Sequence, residues 1–124
     1  MKILIIEDDE LNQVVLKEFI GLLYPDAEVV IAKDGKEALN LFFSQKFDLV
    51  ISDIDLPEMN GVEFVKKIKE KDFSVPIIAC TGFAVVGDRE RLLLEGFDDY
   101  ISKPIILEEF KKIMKKYTAG EKDV

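Results

Sequence analysis

Histidine is absent from this 124-residue chain. That excludes Ser-His-Asp machinery, His-ligated zinc and any phosphohistidine formed on the chain itself. Cysteine occurs once, as Cys80 inside the apolar run VPIIAC, so there is no internal disulfide and no thiolate cluster, and a buried core thiol is expected. No apolar run approaches the roughly 20 residues a bilayer-spanning helix requires. The N-terminal MKILIIEDD carries one Lys and no small-residue cleavage site, so no signal peptide is read and a cytoplasmic location is expected. Basic residues are in deficit, 17 against 25 acidic, for a formal charge of −8. Such a balance repels polyphosphate backbones, so no direct nucleic-acid binding is expected. Ser-, Gly- or Pro-rich linkers, internal repeats and low-complexity stretches are also missing, which leaves one domain over 1–118 and a short tail over 119–124.

What is present is an alternation. Apolar runs at 2–6, 28–32, 48–52, 76–80 and 99–102 read as strands, nearly continuous in apolar character as in a parallel sheet covered on both faces. Between them the period is helical: Leu11, Val14, Val15, Phe19, Leu22 and Leu23, then Ala38, Leu39 and Phe42, then Phe64, Val65 and Ile68 are expected to face the core. Two further helices are placed at 84–95, with Leu92 and Leu93 inward and Gly96 ending it, and at 106–117, with Leu107, Phe110, Ile113, Met114 and Tyr117 inward. The residues after Tyr117 read as frayed. Lys111, Lys112, Lys115 and Lys116 read as a solvated face near a helix C-terminus. The pattern predicts an α/β fold.

Polar residues stand one by one at the ends of these runs: Glu7-Asp8-Asp9 after KILII, Asp53 after LVIS, Thr81 after VPIIAC and Lys103 after YIS. Parallel open sheets bind ligands outside the carboxyl ends of their strands, so this placement gathers the residues at one rim. Glu7, Asp8 and Asp53 would raise one another's pKa there, and such a cluster calls for a cation. Mg²⁺ suits an all-oxygen donor set without His or Cys. Asp9 and Glu10 open a helix and have a simpler use beside its N-terminal dipole. Asp53 is placed as a nucleophile toward phosphorus, with Lys103 and the Thr81 hydroxyl available to neutralise the charge that spreads over the equatorial oxygens in phosphoryl transfer. Thr81 taken alone reads equally as a strand-end cap and Lys103 as a surface lysine; their joint placement favours the site.

The stretches ILIIEDDELN, DLVISDIDLPEMNGVEF, VPIIACTGFA and GFDDYISKPI, in this order and spacing, resemble the receiver domain of two-component response regulators, in a form close to stand-alone receivers and those of hybrid kinases. The resemblance implies a doubly wound, flavodoxin-like (βα)5 fold, with a five-stranded parallel sheet of order 2-1-3-4-5. It implies Asp53 as phosphoacceptor, Thr81 and Lys103 as its supporting groups, and Mg²⁺ held by Asp8, Asp53 and the main-chain carbonyl of Asp55, with Glu7 acting through water. It further implies a Thr81–Tyr100 switch and a cis peptide between Lys103 and Pro104. Partners would be a sensor histidine kinase or histidine phosphotransfer protein, and a downstream protein at the surface of the fourth helix, fifth strand and fifth helix. The chain would be a monomer or a phosphorylation-dependent dimer, and a signalling switch rather than a turnover enzyme.

Tyr100 can also be read as a plain half-buried aromatic. Asp55, two residues beyond Asp53, and Phe83, two residues beyond Thr81, depart from the simplest pattern at positions that the resemblance implies tune dephosphorylation, while Asn60 before Gly61 carries little weight. A haloacid-dehalogenase-like phosphatase using Asp53 and Asp55 is the main alternative, but that class places its DxD on an early strand and its metal-binding acids later. A flavodoxin-like flavin binder would want Ser, Thr and Gly in the first loop, where EDDELN stands. The Gly82 and Gly87 spacing lacks the Lys-Ser/Thr of a nucleotide loop.

Overall fold

The computed structural model describes residues 1–54, 61–71, 74–82 and 88–118. Five strands, β1 (Lys2–Ile6), β2 (Glu28–Ala32), β3 (Leu49–Asp53), β4 (Ile77–Thr81) and β5 (Asp99–Ser102), alternate with α1 (Glu10–Leu23), α2 (Gly35–Ser44), α3 (Gly61–Lys71), α4 (Asp88–Leu94) and α5 (Leu107–Tyr117). Every strand pairing is parallel and the order is β2-β1-β3-β4-β5. The chain leaves β1 toward β2 on one side and returns to β3 on the other. This reversal opens a crevice above the carboxyl ends of β1 and β3.

Alternation along each strand feeds two cores. Leu4, Ile6, Val50, Ile77 and Ala79 pack with Ala38 and Phe42 of α2, Phe64, Val65 and Ile68 of α3, and Leu92 of α4. Ile3, Ile5, Leu49, Ile51, Ile78, Cys80 and Ile101 pack with Leu16, Ile20 and Leu23 of α1 and Phe110 and Met114 of α5. Fully burying each of the Val, Leu, Ile, Phe or Met side chains among them contributes about 1.5–3 kcal/mol.

The expected inward face of α1 is corrected in part. Leu11, Val14 and Leu22 are 71%, 55% and 58% exposed, and the helix packs through Leu16, Ile20 and Leu23, supported by Phe19. At about 100° per residue the exposed three lie on the far side from Leu16 and Ile20. Apolar residues cover so much of this helix that period alone does not orient it. Leu93, expected inward beside the buried Leu92, is likewise exposed in part, at 39%. Gly96 ends the segment after α4 with φ +112, a backbone setting that L side chains resist. Of the helix expected over 84–95, positions 84–87 lie outside the described residues.

Strands β3 and β4 run one residue further than expected, because the ladder continues through the pairs Asp53↔Cys80 and Thr81↔Ser102. Thr118, expected to be frayed, is buried. Its hydroxyl lies 2.7 Å from the Tyr24 hydroxyl and donates to the Met114 carbonyl at 2.7 Å, tying the end of α5 to the end of α1. The tail 119–124 lies outside the described residues. No helix among those described is long and apolar enough to cross a membrane.

Candidate phosphoacceptor site

Each acid follows from where its strand stops. Glu7 comes directly after β1, and its N–H still donates to the Ala32 carbonyl at 3.0 Å. The pleat therefore turns its side chain to the same side as Ile3 and Ile5, and it is 1% exposed. Asp53 ends β3 with the parity of Leu49 and Ile51 and is 8% exposed. Lys103 follows β5 with the parity of Ile101, and its N–H donates to the Thr81 carbonyl at 2.8 Å. Three strands thus deliver two carboxylates and one ammonium to the α1/α5 side of the rim. Lys103 Nζ lies 3.3 Å from Asp53 Oδ2 and 3.0 Å from Glu7 Oε1. The Lys103–Pro104 peptide is cis.

Asp8 is exposed at the mouth, and one carboxylate oxygen from each of Glu7, Asp8 and Asp53 lies within 4.8 Å of the others. Asp9 is occupied elsewhere. As N-cap of α1 its side chain accepts from Leu11 N at 2.8 Å and Asn12 N at 3.3 Å. Asp9→Ala should therefore cost about 1 kcal/mol of unfolding free energy in urea melts.

Burial pushes the Glu7 carboxyl up and the Asp53 charge adds to it; Lys103 and the Asp9 N–H, which donates to Glu7 Oε2 at 3.2 Å, pull it back without cancelling the rise. Desolvation, more than mutual repulsion, raises this acid. Burial works the other way on the Lys103 ammonium, but Glu7 and Asp53 more than offset it and its pKa ends above the usual value. Lys103 therefore stays charged.

Cys80 lies under the site, in register between Asp53 and Ile101. Burial pushes its thiol up to about 12, with Lys103 opposing. A protonated, buried thiol is a poor nucleophile and a poor metal ligand. Native Cys80 should react with iodoacetamide at pH 8 about a thousandfold more slowly than in guanidinium, the ratio of thiolate populations for pKa values of about 12 and 9.0, as read by mass.

Thr81 is buried at the end of β4. Two residues before it, Ala79 pairs with Tyr100 across β4 and β5, so the Thr81 side chain and the half-buried Tyr100 share the α2/α3/α4 side of the sheet. Asp55, Asn60, Phe83 and Gly87 lie outside the described residues. Two features escaped the sequence reading. One is the Glu7–Lys103 ion pair, because Lys103 reads as a phosphate partner only. The other is Gln13 on α1, whose Nε2 donates to the Glu7 carbonyl at 2.6 Å; no motif marks it.

The donor set fits a hard divalent cation: all oxygen, charged and convergent. Glu7 Oε1 is buried and, although 3.0 Å from the Lys103 ammonium, makes no hydrogen bond of good angle among the described residues, so it keeps acceptor capacity.

Comparison with known proteins agrees with this geometry. Residues 3–115 match the family model described as the response regulator receiver domain. The polar-differentiation response regulator DivK of Brucella anthropi is 38% identical over 117 residues, covering 93% of this chain and 94% of DivK. The receiver domain of the sensor histidine kinase PA1611 from Pseudomonas aeruginosa, with a magnesium ion coordinated in its active-site cleft, superposes with TM-score 0.81 at 32% identity, covering 94% of this chain and 95% of that one. The receiver domain of Ssk1 from Saccharomyces cerevisiae, solved with the histidine phosphotransfer protein Ypd1, belongs to a structure that matches with TM-score 0.82 at 30% identity, covering 94% and 88%. An acidic rim at the switch point of a 2-1-3-4-5 sheet, with Lys103 reaching into it from β5, is thus found together with a match over nearly the whole chain, and the protein belongs to the response regulator receiver family of two-component signalling.

Proposed function

We propose that the chain, over residues 1–118, is a phosphorylated switch in which Asp53 takes a phosphoryl group from a phosphohistidine on a partner kinase or phosphotransfer protein. The observation that carries this reading is Lys103 Nζ at 3.3 Å from Asp53 Oδ2 beside the Glu7–Asp8–Asp53 carboxylates. In the transfer an Asp53 oxygen forms a bond to phosphorus as the P–N bond breaks. The bonding pair stays on the donor imidazole nitrogen, which leaves as a neutral ring after taking a proton where the departing form requires one. Charge spreads over three equatorial oxygens, so positioning and electrostatics do most of the work. Lys103 is charged and already in place for one oxygen, and the Thr81 hydroxyl is on the adjoining strand for another. Asp8 and Asp53 would hold Mg²⁺ directly and Glu7 through water, with the Asp55 carbonyl completing the set; the ion supplies Lewis-acid neutralisation of a phosphoryl oxygen. With Oε2 accepting from the Asp9 N–H and Oε1 keeping acceptor capacity for a hydrogen of a cation-bound water, an indirect part for Glu7 is supported.

Phosphorylation replaces one negative charge by about two and draws in Lys103 and the Thr81 hydroxyl. Movement of Thr81 frees space on the face it shares with Tyr100, and the ring turns inward. The α4–β5–α5 surface then changes, and a downstream partner that prefers the new shape shifts the population. A groove lined by Tyr100, Ser102, Glu109, Lys112 and Lys116 supplies side chains for that contact. The product acyl phosphate is a stored signal, so the chain is not a turnover enzyme, and oligomerisation, if any, follows phosphorylation.

Incubation with acetyl phosphate and Mg²⁺, followed by intact mass, tests the reading. The expected outcome is one added phosphoryl per chain. Sustained hydrolysis of a phosphate monoester would instead support a phosphatase using Asp53 and Asp55.

A further inference from the structure

The loop between β1 and α1 has a mechanical problem. It carries Glu7 and Asp8 beside Asp53, three carboxylates with one oxygen of each within 4.8 Å of the others, and Lys103 is paired with Glu7 and Asp53, so the direction of the exposed Asp8 carboxylate has to be set from the backbone. Asp8 is exposed and next to Asp9, whose side chain is committed to the helix N-terminus. Gln13 bonds to the backbone on both sides of Asp8. Its backbone N–H donates to the Asp9 carbonyl at 3.0 Å, and its side-chain Nε2 donates to the Glu7 carbonyl at 2.6 Å. The two carbonyls bracket Asp8. One side chain therefore fixes the plane of the Glu7–Asp8 peptide, and with it the direction in which the Asp8 carboxylate leaves the backbone.

We propose that Gln13 is a positioning residue for the cation site, holding the Glu7–Asp8 peptide so that the Asp8 carboxylate is directed to the site before the ion binds. The inference rests on the phosphoacceptor reading above. The residue type matters. A glutamine donates a hydrogen bond without adding charge, whereas Lys or Arg would compete with the cation and Glu would offer no donor. Groups that orient metal ligands from behind typically set affinity by about 10–100-fold, and Gln13 touches a ligand-bearing peptide rather than the ion.

Gln13→Met keeps the length and shape and removes the donor. Mg²⁺ titration of the full chain by calorimetry should show binding about tenfold weaker than wild type. The Mg²⁺ concentration that half-saturates phosphorylation by acetyl phosphate should rise by a similar factor, while the rate at saturating Mg²⁺ stays close to wild type. A fall in thermal midpoint without a change in Mg²⁺ affinity assigns Gln13 a merely structural part and overturns the proposal. Gln13→Glu, of equal length, separates geometry from charge. Positioning requires weaker Mg²⁺ binding despite the extra negative charge; tighter binding overturns it. If wild type itself binds no Mg²⁺, the phosphoacceptor reading falls and the inference with it; if wild type binds and both variants bind equally well, only the inference falls.

Discussion

Asp53→Asn is expected to abolish labelling: wild type gains one phosphoryl group from acetyl phosphate and Mg²⁺ by intact mass, and the variant none. In the proposed reaction the carboxylate would supply both the nucleophilic oxygen and one of the charges that hold the cation, and an amide would supply neither. The substitution is nearly isosteric at a side chain that ends β3 and is 8% exposed, so packing around Ile51 and Cys80 is preserved. It also removes a charge that pushes the Glu7 carboxyl up, while Glu7 keeps its partner Lys103 at 3.0 Å. Thermal stability without Mg²⁺ should therefore be equal to or above wild type. Lost labelling with retained folding identifies the acceptor, whereas labelling that survives moves the acceptor elsewhere and ends this assignment.

Lys103→Met should damage both chemistry and stability. Without the ammonium beside the transferring oxygens, phosphorylation from acetyl phosphate should slow by about a hundredfold or more, the scale found when one preorganised donor is removed from a charge-developing site. The same change leaves Glu7, 1% exposed, and Asp53 without their cation. Breaking a fully buried pair costs roughly 3–5 kcal/mol. The Lys103 side chain is 21% exposed, so solvent screening reduces the expected loss to about 2 kcal/mol at neutral pH without Mg²⁺.

The pH dependence has a definite sign. Glu7 has a folded pKa above its ordinary 4.5, so between 4.5 and the raised value the folded chain binds more protons than the unfolded one, and acidification through that window stabilises the fold. Replacing Lys103 removes its downward pull on Glu7 and extends the window upward. Lys103 itself has a folded pKa above 10.5, so its contribution in wild type is complete below 10.5 and is lost as the pH climbs through the folded value. The stability gap between wild type and Lys103→Met in urea melts should accordingly be larger at pH 8 than at pH 5. A gap that does not change with pH would mean that Glu7 is not the acid Lys103 holds.

Much of this site was legible because its signals are local. A strand that ends in Asp or Thr, or is followed directly by Lys, announces itself within four or five residues, as in LVISD, IIACT and YISK, and a parallel sheet sends all such ends to one rim. The exposed side of α1 was not legible, since Leu11, Val14, Val15, Phe19 and Leu22 satisfy helical period in more than one orientation. Nor was the anchoring of Thr118, which depends on a hydroxyl 94 residues away on Tyr24. Gln13 is near in sequence to Glu7, but its bond depends on how α1 is set against the end of β1, and amides on helices are ordinarily solvated.

By itself the amino-acid order determined the alternation of strand and helix, the rim at which the acids, Thr81 and Lys103 emerge, and the chemistry open to a chain with no histidine. These follow from short apolar runs and from the groups that end them. Only the tertiary structure decided that Lys103 is shared between Glu7 and Asp53, that burial more than repulsion lifts the Glu7 carboxyl, that Cys80 lies in register beside Asp53, and that α1 packs through Leu16, Ile20 and Leu23. Those outcomes depend on the register of β1, β3, β4 and β5 and on desolvation, both set by segments that meet across the fold, about 50 residues apart in the case of Lys103 and Asp53.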